Sequence, residues 1–193
     1  MALPATDNFN RANQNPIAGN WSVVTGWANA QLLSNAVQNL GGAGAAIYWN
    51  GDIFDNNQYS QIKVTGDFRG GAIVRVNGNV FYLWYYAGAN VMRYYRVTGV
   101  EAYTQLGSDI SVTVNTNSIL KLEISGSTLT GYVDGVAQVT KTDTNIVAGS
   151  AGIHFNGTAQ IWDDWEGGNL VTLGKFAPVN KLRPRIFAPG LAR

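Results

Sequence analysis

Two turn dipeptides constrain this chain more than any other feature. Asn77-Gly78 separates residues 72–76 from 79–86, and Asp134-Gly135 separates residues 129–133 from 136–140. Both supply the positive φ angles that a two-residue type I′ hairpin needs, so each predicts an antiparallel strand pair. Residues 59–64 alternate in polarity, as do residues 119–124, where Leu120, Leu122 and Ile124 share one face. Further strand-like segments end at Gly88, Gly99, Gly107, Gly126 and Gly149. No stretch sustains a 3.6-residue period, so helix content should be very low. Many short antiparallel strands at this spacing predict an all-β, two-sheet jelly-roll sandwich.

Composition narrows the functional classes. With 46% hydrophobic residues and a net charge of +1 over 193 residues, the chain is a folded domain rather than a disordered one. The absence of Cys removes disulfides, thiolate metal sites and a cysteine nucleophile. The single His, His154, lies between Ile153 and Phe155 with no Ser or carboxylate at motif spacing, which suits a structural role. No basic and apolar leader opens the sequence, so no signal peptide is expected. No apolar run approaches the roughly 20 residues of a membrane span, so no membrane insertion is expected.

The near-neutral charge conceals a division. Residues 1–168 hold 8 basic and 12 acidic groups, a net −4, whereas residues 169–193 hold 5 basic groups and no acid. The second part also contains Pro178, Pro184 and Pro189, which disfavour a helix or a central strand. The expected organisation is a sandwich over 1–168 followed by an extended basic arm over 169–193.

The opening Asp7-Asn8-Phe9-Asn10-Arg11-Ala12-Asn13, followed by Gly19-Asn20-Trp21, resembles the entry of concanavalin-A-like and laminin-G-like jelly rolls. Gly70-Gly71-Ala72-Ile73-Val74-Arg75 with Tyr82, Val133-Asp134-Gly135, Gly149-Ser150-Ala151-Gly152-Ile153 and Asp163-Asp164-Trp165 are similar to that family's later strands. The resemblance covers residues 7–167 and implies neighbouring first and last strands. Such domains occur in lectin-like modules, in glycan hydrolases and in structural proteins of tailed bacteriophages; the C-terminal segment looks most like the arms of the phage group.

Hydrolases of this fold carry Glu-x-Asp-x-Glu on one strand, because glycoside hydrolysis needs two facing carboxyl groups. Here the matching row is Trp162-x-Asp164-x-Glu166, and Glu101 and Glu123 are the only other glutamates. No enzymatic activity is therefore expected. Some jelly rolls of this class bind calcium near their terminal strands, which implies Asp164 and Asp7 as candidate ligands; ordinary structural carboxylates are the alternative, and no cofactor is expected. Gly41-Gly42-Ala43-Gly44 lacks the Lys and helix of a phosphate loop.

The aromatic hairpin offers a ligand surface. If Asn77-Gly78 is its loop, Val76 pairs with Asn79 and Val74 with Phe81. Ala72, Val74, Val76, Phe81, Leu83 and Tyr85 then face the core. Ile73, Arg75, Val80, Tyr82, Trp84 and Tyr86 lie opposite, joined by Arg93 and Tyr95 across the next turn. Rings stack on the apolar faces of sugars and guanidinium groups bind their hydroxyls or carboxylates, so Arg75, Tyr82, Trp84, Tyr86, Arg93 and Tyr95 form the candidate glycan-binding set. The alternative stays open that these rings pack against the other sheet.

Together these readings predict a non-enzymatic virion structural protein, made in a bacterial host cytoplasm and decorating a capsid. Lys181, Arg183, Arg185, Phe187 and Arg193 of the arm would anchor it on a capsid or tail protein. Homo-oligomerisation and a host glycan are further partner expectations. Nucleic acid is not expected, since the body is net acidic and lacks helix-turn-helix or ribonucleoprotein motifs. The alternative is a carbohydrate-binding module or host-surface adhesin.

Overall fold

The computed structural model describes residues 3–41, 44–66, 69–157 and 160–171. Most of the predicted basic arm, with Lys181, Arg183, Arg185, Phe187 and Arg193, lies outside the described residues. Within them all regular structure is β, in two antiparallel sheets.

Edge to edge, the first sheet runs Val136–Ala137, Thr128–Val133, Ile119–Ser125, Gln58–Val64, Ile161–Asn169, Ala36–Asn39 and Ala30–Leu33. Ala5–Asp7 also pairs with Ile161–Asn169, which makes the first and last strands among the described residues neighbours. The second sheet runs Tyr103–Gln105, Val91–Val97, Val80–Gly88, Gly70–Asn77, Ser150–Phe155, Ala45–Trp49 and Trp21–Val23. The predicted two-sheet sandwich is the observed architecture.

The first sheet is amphipathic, as its alternation requires: Leu120, Leu122 and Ile124 are buried while Ile119, Lys121 and Glu123 sit on the outer face. Those inner residues, with Ile62, Trp162 and Trp165, pack against Ala72, Val74, Tyr82, Trp84 and Ile153 of the second sheet. Each fully buried aliphatic side chain there stabilises by about 1.5–3 kcal/mol. The second sheet is covered on both faces. On its outside, Val24, Trp27, Ala46, Ile73, Phe81, Leu83, Tyr85 and Val97 form a second, smaller cluster.

The two predicted hairpins come out differently. At Asp134-Gly135 both residues have positive φ (51° and 78°) and Val133 pairs with Val136, as a type I′ turn demands. In the aromatic hairpin the loop is Gly78-Asn79, closed by Asn77 opposite Val80. Only Gly78 has positive φ there (63°), the signature of type II′.

Moving the loop by one place would leave the faces unchanged. A bulge changes them: the register shifts between Val74 and Asn77, where Arg75 adopts a φ of 54°. Val74 therefore pairs with Tyr82 instead of Phe81. A one-residue slip exchanges the two faces of a strand, so Tyr82, Trp84 and Tyr86 turn inward and Phe81, Leu83 and Tyr85 turn outward.

This corrects four of the expected ligand residues. Tyr82 and Trp84 are completely buried and Tyr86 nearly so. Trp84 lies against the backbone of the other sheet, where a Cβ on Gly131 would come within 2.5 Å of its indole. Arg75 is also inside, at 3% exposure. Its guanidinium donates to the carbonyls of Asn56 (3.0 and 2.7 Å), Ile146 (2.8 Å) and Gly126 (2.6 Å). It clamps three connecting segments onto the end of the sandwich and is not presented to a ligand.

Candidate functional site

The slip that turns one row of rings into the core turns the other row to the outer face of the second sheet. On the outer face of the second sheet, Tyr85 pairs with Arg93 and Leu83 with Tyr95, while Gln105 pairs with Tyr95 and Tyr103 with Val97. Tyr85, Arg93, Tyr95 and Tyr103 thus project to one side. Asn156, just past Ser150–Phe155, reaches the same place and donates from Nδ2 to the Tyr85 hydroxyl at 2.5 Å. These five residues line a cleft of about 130 Å³.

Its walls are mutually braced. The Tyr85 and Tyr95 rings meet edge to face at 5.5 Å between centroids, and Tyr95 and Tyr103 lie at 5.3 Å. Arg93 grips Asp109 with two hydrogen bonds, Nε to Oδ1 at 2.7 Å and Nη2 to Oδ2 at 2.8 Å. Gln105 Nε2 donates to the same Oδ1 at 2.9 Å. These donors hold the Asp109 carboxyl down at about 2, so the Arg93–Asp109 pair persists through ordinary acid and neutral pH.

Beneath the cleft, the Tyr103 hydroxyl and His154 Nε2 share a hydrogen bond of 3.0 Å. His154 is fully buried against Trp27 (5.2 Å between centroids) and Phe81 (6.0 Å). Burial pushes its pKa down to about 3, so the imidazole stays neutral. The sign of the consequence follows. The unfolded chain binds a proton near pH 6.5 that the folded chain refuses, so the contribution is complete above pH 6.5 and shrinks as pH falls toward 3. Acidifying from about pH 7 to about pH 4.5 should cost about 2–3 kcal/mol of stability. Chemical unfolding of wild type and His154→Phe across that range checks this: the variant's profile should be flatter, and parallel profiles would contradict the assignment.

A larger groove, about 470 Å³, lies against the first sheet and is lined by Thr6, Asp7, Asn8, Gln61, Ile119, Asp164, Trp165 and Glu166. Its acids are committed. Asp7 accepts from Phe9 N (2.8 Å), Arg11 Nη1 (2.6 Å) and Trp21 Nε1 (2.8 Å). Asp164 pairs with Lys63 Nζ at 2.9 Å, and Glu166 accepts from the Tyr59 hydroxyl at 2.6 Å. Among the described residues no group of three or more His, Asp or Glu is arranged to hold a metal ion. A bulge between Asp163 and Glu166 also breaks the period-2 row, so Trp162, Asp164 and Glu166 do not project as one set.

Of the six residues nominated from sequence, the structure brings Arg93 and Tyr95 together and places Arg75, Tyr82, Trp84 and Tyr86 elsewhere. Tyr85, Tyr103 and Asn156 were missed. Tyr85 had been assigned to the core by the same register that exposed Trp84. The spacing of Tyr103 and Gln105, two apart, is a weak strand signal that could have supplied Tyr103.

No protein-family model matches the chain, and no curated protein sequence resembles it significantly. Solved structures do. The carbohydrate-binding module CBM66 from Bacillus subtilis superposes with a TM-score of 0.61 at 16% identity, over 78% of this chain and 96% of that one. An endo-β-1,3(4)-glucanase of family GH16 gives 0.58 at 11% identity, over 86% and 96%. A protein with a galectin-like fold, also from Bacillus subtilis, gives 0.54 at 6% identity, over 77% and 89%. At these identities the likeness establishes the fold alone, a jelly-roll sandwich of the concanavalin and galectin type.

Proposed function

We propose that this chain is a non-enzymatic glycan-binding module whose ligand sits among Tyr85, Arg93, Tyr95, Tyr103 and Asn156. The observation that carries the reading is the convergence of three tyrosine rings, a braced guanidinium and a side-chain amide in one cleft on the outside of the sandwich. Rings pack on the C–H faces of a sugar while Arg, Asn and tyrosine hydroxyls meet its own hydroxyls. A similar fold serves as a carbohydrate-binding module in the first of the solved structures above, which supports the reading. The cleft lining holds no carboxylate, and the two acids beside it are occupied, Asp109 by Arg93 and Gln105 and Glu101 by the Tyr103 hydroxyl, whereas glycoside hydrolysis needs two free carboxyl groups. A virion anchor in the basic residues 181–193 is compatible with this role and would present the cleft to a host surface.

The test is a glycan array probed with the full chain and with Tyr95→Ala. Tyr95 is only half-buried, so its truncation should leave the fold intact. Binding of the array hits should fall about tenfold or more, the equivalent of about 1.4 kcal/mol. Absence of any hit at millimolar ligand, or hits that Tyr95→Ala retains undiminished, would sink the proposal.

A further inference from the structure

Resting on that reading, we infer that the cleft takes the terminal residue of a glycan that ends in a carboxylated sugar, with the carboxylate held by the guanidinium groups of Arg69 and Arg93. Arg69 directly precedes Gly70–Asn77, in which Gly71 pairs with Tyr85. Its carbonyl accepts from the main-chain N of Asn156 at 3.1 Å, so the residue whose amide holds Tyr85 also fixes the Arg69 main chain, and Arg69 Nε lies 3.8 Å from where a Cβ on Gly88 would stand, at the margin of the cleft. Both guanidinium charges act on the Tyr85 hydroxyl: burial raises its pKa, and Arg69 and Arg93 each pull against that rise.

Arg69 stands apart from the other arginines. Arg11 pairs with Asp7, Arg93 with Asp109 and Arg96 with Asp143, and Arg75 is consumed by carbonyls. Among the described residues the Arg69 side chain is exposed and has no hydrogen-bond or ion-pair partner. It stands on a body that carries net negative charge, so it is not one of a general basic surface. Among the described residues the acids beside the cleft are already engaged: Asp109 by Arg93, and Glu101 by the Tyr103 hydroxyl. An incoming carboxylate would supply the missing partner through a charge-assisted, planar contact that a neutral hydroxyl cannot match.

The size of the cleft selects the end of a chain. At about 130 Å³ it is far smaller than a site that encloses a drug-sized ligand. It suits one sugar ring entering end-on, with the remaining glycan in solvent.

The test titrates the full chain with oligosaccharides ending in glucuronate or in N-acetylneuraminate, and with the carboxyl-reduced form of each. At least one acid-ended ligand should bind about tenfold or more tighter than its reduced counterpart, and only its binding should weaken with added salt. Arg69→Ala and Arg69→Glu should abolish that preference with unchanged thermal melts. A preference for one acid over the other names the sugar. Equal binding of acid and reduced forms, still lost in Tyr95→Ala, would overturn the ligand class and leave the glycan site standing. Acid preference that survives Arg69→Glu would overturn the role of Arg69. Binding of neither form to the cleft would overturn the site itself.

Discussion

Replacing Arg75 by alanine should lower the free energy of unfolding by about 4 kcal/mol. The guanidinium is buried and meets no carboxylate; its partners are the carbonyls of Asn56, Gly126 and Ile146. Truncation strands those acceptors, and each unsatisfied buried acceptor costs about 1–3 kcal/mol, reduced where water can enter. The φ of 54° adds a second effect of opposite sign. A left-handed residue other than glycine carries about 1 kcal/mol or more of strain, so Arg75→Gly should be slightly less damaging than Arg75→Ala. Arg75→Lys keeps the charge but offers a single ammonium in place of a planar fork, so it should restore only part of the loss. Urea unfolding measures all three. A loss below about 1 kcal/mol for Arg75→Ala would mean that the three segments hold without their clamp.

Trp84→Ala should be comparably destabilising, by about 3–5 kcal/mol. The indole is wholly buried, 4.4 Å between centroids from Tyr94, and donates from Nε1 to the Tyr132 carbonyl at 3.2 Å. Gly131 beneath it has no side chain with which to fill the space, so the cavity would stay open. The contrast with Tyr95→Ala separates core from ligand surface. Trp84→Ala should lower the melting temperature and, wherever the protein stays folded, leave glycan affinity near wild type. Trp84→Ala with normal stability and lost binding would return Trp84 to the ligand face.

The sandwich was legible because its signals are local. Polarity alternation over residues 119–124 and the Asp134-Gly135 turn each depend on residues within a few positions, and both reappear in the ladders. The faces of the aromatic hairpin depend on a bulge whose left-handed residue is an arginine, and nothing in the neighbouring sequence marks it. The whole ring assignment of residues 80–86 turns on that one position. Arg93 and Tyr95 could be paired from sequence because they sit two apart on one strand. Tyr103 joins them through the register of the next strand, and Asn156 and Arg69 through hydrogen bonds between segments distant along the chain. Tyr82, Trp84, Tyr86 and Arg75, which the sequence places on a ligand face, lie inside the sandwich.

The most direct test of the cleft as the ligand site is amide chemical-shift mapping of the isotopically labelled full chain during titration with a glycan that binds it. The perturbed amides should gather at Tyr85, Arg93, Tyr95, Tyr103 and Asn156, with Arg69 at the margin. Perturbations centred on Asp7, Gln61, Asp164 and Glu166 would place the ligand in the groove of the opposite sheet and contradict the account.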